Sequence, residues 1–179
     1  MKKLSKGNTI RILIWLLMLI GGAILSIHYD KIYFPDLFNS LYFHIATIIP
    51  GYILLKLVLK ASRNTGKYLA KMGREGDIPR LQTNVLVKDG YYGLMRHPMH
   101  LGLLFFPLAF ALLLGSPIFI LTLAPLEMLF MIIMIKLIEE KEAEKKFGNA
   151  YKSYKKSVPF FCFKIHCIKA LLDEHAFER

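Results

Sequence analysis

Long apolar runs alternate with short basic segments along this chain. The first run, ILIWLLMLIGGAILSIHY at residues 12–29, holds no Asp, Glu, Lys or Arg and follows Lys2, Lys3, Lys6 and Arg11. About 20 such residues cross the hydrocarbon as a helix, so this run predicts a spanning segment. Basic residues ahead of an apolar run also mark signal peptides. Here the run is long and no small-x-small cleavage site follows it, so a retained anchor is expected. The second run, LFNSLYFHIATIIPGYILL at residues 37–55, continues past Lys56 with LVL. Lys56 can snorkel to the headgroups, and Pro50-Gly51 predicts a kink. His44 lies deeper, where a structural hydrogen bond to a local partner is the expected role.

Residues 56–98 form the largest polar segment. Lys60, Arg63, Lys67, Lys71, Arg74, Arg80, Lys88 and Arg96 outnumber Glu75, Asp77 and Asp89. Gly73, Gly76 and Pro79 interrupt regular structure in KMGREGDIPR; LQTNVLVKDG predicts a brief extended piece closed by an Asp89-Gly90 turn. From Leu101 to Ile138 the chain is mainly apolar again, and Glu127 and Lys136 are its ionisable residues. As one helix this stretch would measure about 57 Å against a hydrocarbon layer of about 30 Å. Gly115-Ser116-Pro117 resolves the mismatch, predicting one helix over about 99–114 and a second over about 117–138. Four crossings result. The amino terminus, the 56–98 loop and the carboxyl tail share one side, and their lysines and arginines make that side cytoplasmic. DKIYFPD and GSP would face the opposite compartment.

Composition agrees with this reading: 55% of the 179 residues are hydrophobic, too many for a soluble domain of this size to cover. No Gly/Ser/Pro-rich linker divides the chain, so a single domain over 1–179 is expected. The net charge of +11 borders the apolar runs, and anionic headgroups explain it better than nucleic acid does. Cys162 and Cys167 are read as free thiols facing a reducing compartment. His166 between them completes CxxxHC, too few ligands for a structural zinc site.

Two crossings between residues 101 and 138 return the chain to the face it left. Arg96-His97 and Glu139-Glu140 can therefore meet at one membrane edge. An imidazole, a guanidinium and two carboxylates could hold a zwitterionic cofactor while the apolar helices receive an amphiphile. The plainer alternative gives the arginine to headgroups and the glutamates to solvent.

LVKDGYYGLMRHPMHLG at residues 86–102, followed by IEEKEAEKKFGNAYKSYKKSVP at 138–159, resembles the integral-membrane methyltransferases that include the isoprenylcysteine carboxyl methyltransferases and phospholipid methyltransferases. The resemblance rests on Gly90-Tyr91, on Arg96, His97 and Pro98, on the paired Glu139 and Glu140, and on Phe147-Gly148, Tyr151, Tyr154 and Val158-Pro159. It covers roughly residues 76–160. Two positions depart from the family pattern: His100 stands where a tyrosine is usual, and Phe160 where an arginine is usual.

The resemblance implies an all-α polytopic membrane enzyme with a helical hairpin and a cytoplasmic or interfacial carboxyl-terminal helix. It also implies S-adenosylmethionine as cofactor and S-adenosylhomocysteine as product. The methyl group is already activated by the sulfonium, so the protein chiefly positions a nucleophile in line and excludes water. No metal is required. His97 and Glu140 are expected to hold the cofactor's polar portion, with Glu139 beside them. Tyr91 is expected near the same cofactor, and Tyr151 and Tyr154 at its adenine. Arg96 would bind the cofactor carboxylate or orient an acidic or phosphate-bearing substrate. A carboxylate acceptor needs no base, whereas an amine or thiol must lose a proton, for which His97, His100 or Glu140 would serve. The catalytic candidates are thus Arg96, His100 and Glu140.

Glu127, just after Pro125, sits mid-membrane about three turns from Glu139. It would either recognise a substrate amine or hydroxyl, or pair with His44 or another helix. Residues 139–156 are expected to continue as an interfacial helix interrupted at Gly148, with Ile165, Ile168, Leu171 and Leu172 forming an amphipathic surface helix after it. The implied acceptor is a lipid-like or prenylated molecule at the membrane–cytosol interface, in a bacterial inner membrane or an endoplasmic reticulum. A small hydrophobic thiol or amine is the alternative acceptor, and a non-catalytic scaffold with a retained cofactor pocket the alternative function.

Overall fold

The structure is a computed structural model and describes residues 6–79 and 81–177. Lys2, Lys3 and Arg80 of the charge pattern lie outside the described residues. Every regular element among the described residues is helical. In chain order these are α1 (Lys6–Tyr33), α2 (Pro35–Phe38), α3 (Leu41–Met72), α4 (Tyr91–Leu94), α5 (Pro98–Leu104), α6 (Phe106–Leu114), α7 (Ala124–Met134), α8 (Glu140–Ser157) and α9 (Ile165–Leu172). π-Helical turns at Phe119–Leu123 and Ile135–Glu139 flank α7, and the second leads into α8.

Three helices among the described residues are long and apolar enough to cross a membrane: Thr9–Tyr33, Leu41–Met72 and Phe119–Ser157. Pro98–Leu114 is a shorter apolar helix, parted at Phe105 into α5 and α6. Its length of about 26 Å falls just short of the hydrocarbon thickness. The expected break at residues 115–117 is present. Gly115 takes φ +64, the left-handed conformation that glycine adopts without a Cβ penalty, and its N–H donates to the carbonyls of Ala111 and Leu112. His44 presses against the place where a Cβ on Gly115 would stand. Its imidazole bonds locally, Nε2 lying 2.7 Å from the Phe38 carbonyl, so the expected structural role of His44 holds. Pairing of His44 with Glu127 is not what satisfies it.

The chain folds as two compact units. One comprises Lys6–Lys56 with Leu104–Ile133. Leu19, Ala111, Phe119 and Ala124 form its buried centre, flanked by Trp15, Phe106 and Phe110. Gly51 lets α3 approach α6 closely, since a Cβ there would lie 2.9 Å from both Leu112 Cβ and Leu113 N. Asp30, read from the sequence as part of a polar connector, instead belongs to α1 and is fully buried. It accepts hydrogen bonds from the Ser116 hydroxyl and from Ile118 N–H. A carboxylate at the start of the fourth apolar segment satisfies amides that a helix leaves open there, which is why burial is tolerated.

The other unit comprises Leu57–Leu103 and the chain from Met134 onward. Its 73–90 connector is closed by Asn84, whose amide bonds reciprocally with the backbone of Glu75. The Asp89-Gly90 turn is present, with Tyr92 N–H donating to the Asp89 carbonyl. Gly148 breaks the helical backbone of α8 at φ 56, ψ −131, as expected, and α9 forms where the apolar spacing placed it. The free-thiol reading of Cys162 and Cys167 is corrected: they form a disulfide. That reading leaned on compartment. Proximity decides otherwise, because the turn into α9 brings the two Cα atoms to 6.0 Å, within bridging range.

Candidate active site

All of the close polar contacts at the candidate site lie within the second unit. Met95, fully buried, ends α4 in an extended conformation and turns the next residue inward. The Arg96 N–H donates to the Pro159 carbonyl at 2.9 Å. Pro98 then opens α5, a first-turn position where its missing N–H costs nothing. From the other side, the π turn ending at Glu139 adds a residue to the helical register. It presents two successive acids to this edge: Glu140 is buried, while the Glu139 side chain is 29% exposed.

Arg96 is almost wholly committed to the protein. Its Nε and Nη2 each lie 2.9 Å from Glu140 Oε1, and Nη1 donates to the carbonyls of Lys155 at 3.1 Å and Val158 at 2.5 Å. Those carbonyls belong to the end of α8, which lacks helical partners for them. Lys155 takes the remaining oxygen, Oε2, at 2.9 Å and bridges to Glu144 at the same distance. His97 Nε2 lies 3.3 Å from Glu140 Oε1. Burial lowers the His97 pKa to about 4, His100 adds to the depression, and Glu140 partly opposes it. The imidazole is therefore neutral at physiological pH.

A second pair is more open. His100 Nε2 lies 3.1 Å from Glu139 Oε2, with side chains 21% and 29% exposed. The rings of His97 and His100 are 5.7 Å apart, and donor atoms of His97, His100 and Glu139 lie within 4.8 Å of one another. That trio is compact enough for a cation. Phe160 roofs the cluster, its ring 4.8 Å from that of His97 and 5.6 Å from the Arg96 guanidinium carbon, with Lys136 Nζ 5.5 Å away.

Tyr151 and Tyr154 are buried with ring centroids 5.9 Å apart. The Tyr154 hydroxyl donates to the Tyr92 carbonyl at 2.6 Å. Tyr91 faces elsewhere: its hydroxyl donates to the Asp173 carbonyl at 2.6 Å, and its ring meets Tyr68 and Phe177. Glu127 belongs to the other unit, 8% exposed, its carboxylate beside Gly22. Within its unit the structure thus brings Arg96, His97, His100, Glu139 and Glu140 together, and not Tyr91.

The neighbouring Tyr92 was passed over in the sequence reading. Its hydroxyl is buried without a hydrogen-bond partner among the described residues, and Tyr154 and Glu139 lie close enough to raise its pKa beyond what burial does. An orphaned buried donor is costly unless a ligand completes it. The signal available in the sequence was the tandem YY itself, since adjacent residues in one turn must face different surroundings.

The family model for phospholipid methyltransferases matches residues 40–150, more than half of the chain. The chain belongs to the phospholipid methyltransferase family. Searches of curated proteins and of solved structures give no significant match. As a member of that family the protein is an S-adenosylmethionine-dependent methyltransferase, acting on a lipid-like, amphiphilic acceptor near a membrane interface. The chemistry at the candidate site fits such a cofactor: Glu139 carries a carboxylate, 29% exposed and paired with His100, and the Tyr92 hydroxyl has no hydrogen-bond partner among the described residues.

Proposed function

We propose that this methyltransferase alkylates the headgroup amine of a phospholipid at the cytoplasmic rim of a multi-pass membrane protein. Pro98–Leu114 acts as a fourth, short crossing, and both termini face the cytoplasm, as the lysine and arginine distribution favours. The His100–Glu139 pair carries the choice of acceptor. An amine arrives protonated at neutral pH and must shed that proton, whereas a carboxylate acceptor arrives ionised. A partly open imidazole oriented by a carboxylate supplies such a base.

S-adenosylmethionine supplies an activated methyl group and leaves as S-adenosylhomocysteine. Glu139, the Tyr92 hydroxyl and neutral His97 bind its polar end; Tyr151 and Tyr154 form an aromatic wall behind them. The His100–Glu139 pair takes the proton that the acceptor nitrogen releases, leaving the lone pair free for the methyl carbon. Arg96 is a positioning residue: through Glu140 and the Lys155 and Val158 carbonyls it ties RHP to the end of α8 and sets Phe160 as a roof that excludes water.

Purified protein in lipid nanodiscs, given methyl-labelled S-adenosylmethionine and a panel of amine, carboxyl and thiol amphiphiles, tests this reading. Label is expected on amine nitrogen. His100→Gln is expected to slow transfer by about 10²-fold or more while cofactor affinity stays near wild type. Label on a carboxylate or thiol, or full activity in His100→Gln, would overturn the assignment.

A further inference from the structure

Away from the methyl-transfer cluster, the end of α3 and the carboxyl-terminal tail enclose a cavity of about 370 Å³, a volume in the range of small-ligand sites. Asn64, Lys67, Tyr68, Lys71, Tyr91 and Phe177 line it. Its walls are aromatic: Phe177 meets Tyr91 edge-on at 4.8 Å, and Tyr68 meets Tyr91 at 5.3 Å. Its floor is fastened, because Asn64 donates to the Leu171 carbonyl at 3.0 Å and Tyr91 to that of Asp173 at 2.6 Å.

The charges in this cavity do not balance. Lys67 and Lys71, one helical turn apart, point the same way. Glu174 answers Lys67 at 2.6 Å, in a pair whose side chains are 53% and 43% exposed. Arg63 and His175 lie close enough to act on Glu174 as well, and Asp89 acts on Tyr68. Lys71 has no hydrogen-bond or ion-pair partner among the described residues. An exposed lysine–carboxylate pair is weak. Glu174 therefore serves as a replaceable internal anion.

We infer that this cavity is a binding site for a phosphate ester, separate from the methyl-transfer site, in which the phosphate displaces Glu174 and engages Lys67 and Lys71 together. A phosphate carries up to two charges and three acceptor oxygens, enough for both ammonium groups. The rings of Tyr68 and Phe177 flank the group that carries it. The ester could be a water-soluble molecule or a lipid headgroup. Lys67 and Lys71 lie about 12 and 18 Å beyond Leu59 along α3, so a lipid would have to present its phosphate at or beyond the outer headgroup layer.

The test uses the full chain in detergent micelles. Calorimetric titrations employ glycerol 3-phosphate, dioctanoyl phosphatidylglycerol and, as the zwitterionic reference, dioctanoyl phosphatidylcholine. At least one of the two anionic probes is expected to bind, and to bind about tenfold or more weakly in Lys67→Gln/Lys71→Gln. The same probe is expected to bind more tightly in Glu174→Gln, which removes the competing carboxylate. Lys152→Gln/Lys156→Gln, two exposed lysines on α8, is the matched charge control and should leave affinity unchanged. Preference for glycerol 3-phosphate identifies a soluble ligand, and preference for the lipid a headgroup. Affinity for S-adenosylhomocysteine, measured in parallel, should be the same in all variants, separating this site from the methyl-transfer cluster. Equal affinity in the Lys67/Lys71 and control variants, no tightening in Glu174→Gln, or no binding of either anionic probe would overturn the inference.

Discussion

Replacing Arg96 by lysine keeps the charge but not the planar fork that reaches Glu140 and two carbonyls at once. The variant should lose about 1.5–3 kcal/mol of stability, read as a lower melting temperature in the same detergent, and wild-type stability would show that the network is dispensable. His97 makes a different prediction. Its folded pKa is lowered to about 4 from 6.5, so below 6.5 the unfolded chain takes up a proton that the folded chain still refuses. This contribution is complete above about pH 6.5, falls away as pH drops toward 4, and levels off below that. Denaturation followed across that window should show the loss in the parent and a shallower one in His97→Asn. The chemistry-bearing types were legible in the sequence because RHP and EE are compact local patterns. Arg96's commitment to backbone carbonyls was not, because a carbonyl has no signature in a sequence. Tyr92 was missed for a related reason: YY does not say which ring faces the site.

At the level of elements, the Gly115 turn shows what a hydropathy pattern can deliver. A run too long for one crossing had to break, and the glycine before Ser-Pro marked where. Gly115→Ala forces a Cβ into a left-handed residue and against His44. A loss of about 1–3 kcal/mol is expected, measured as a fall in melting temperature; an unchanged midpoint would mean that the turn relaxes freely. Helix existence was read well for the same reason, and so were the Gly148 break and α9. The π turns were not, since apolar spacing does not distinguish a widened turn from an α-helical one. Asp30 and the cysteines failed in the other direction. Each was assigned from its presumed surroundings, polar connector or reducing compartment, whereas long-range partners and a five-residue approach determined its state.

For the whole molecule, hydrophobic periodicity establishes the polytopic all-α class, and the motif order establishes the family, because both depend on properties repeated along the chain. The separation of Tyr91 from the cluster and the cavity beneath the tail depend on contacts between distant residues, which no local pattern encodes. The central claim is that Glu139, Tyr92 and His97 form the cofactor's polar seat beside the Arg96–Glu140 clamp. Titrating S-adenosylhomocysteine into Glu139→Gln and Tyr92→Phe proteins tests it most directly. Affinity should fall about tenfold or more in Glu139→Gln and severalfold in Tyr92→Phe, with folding intact in both. Wild-type affinity in the two variants would contradict it.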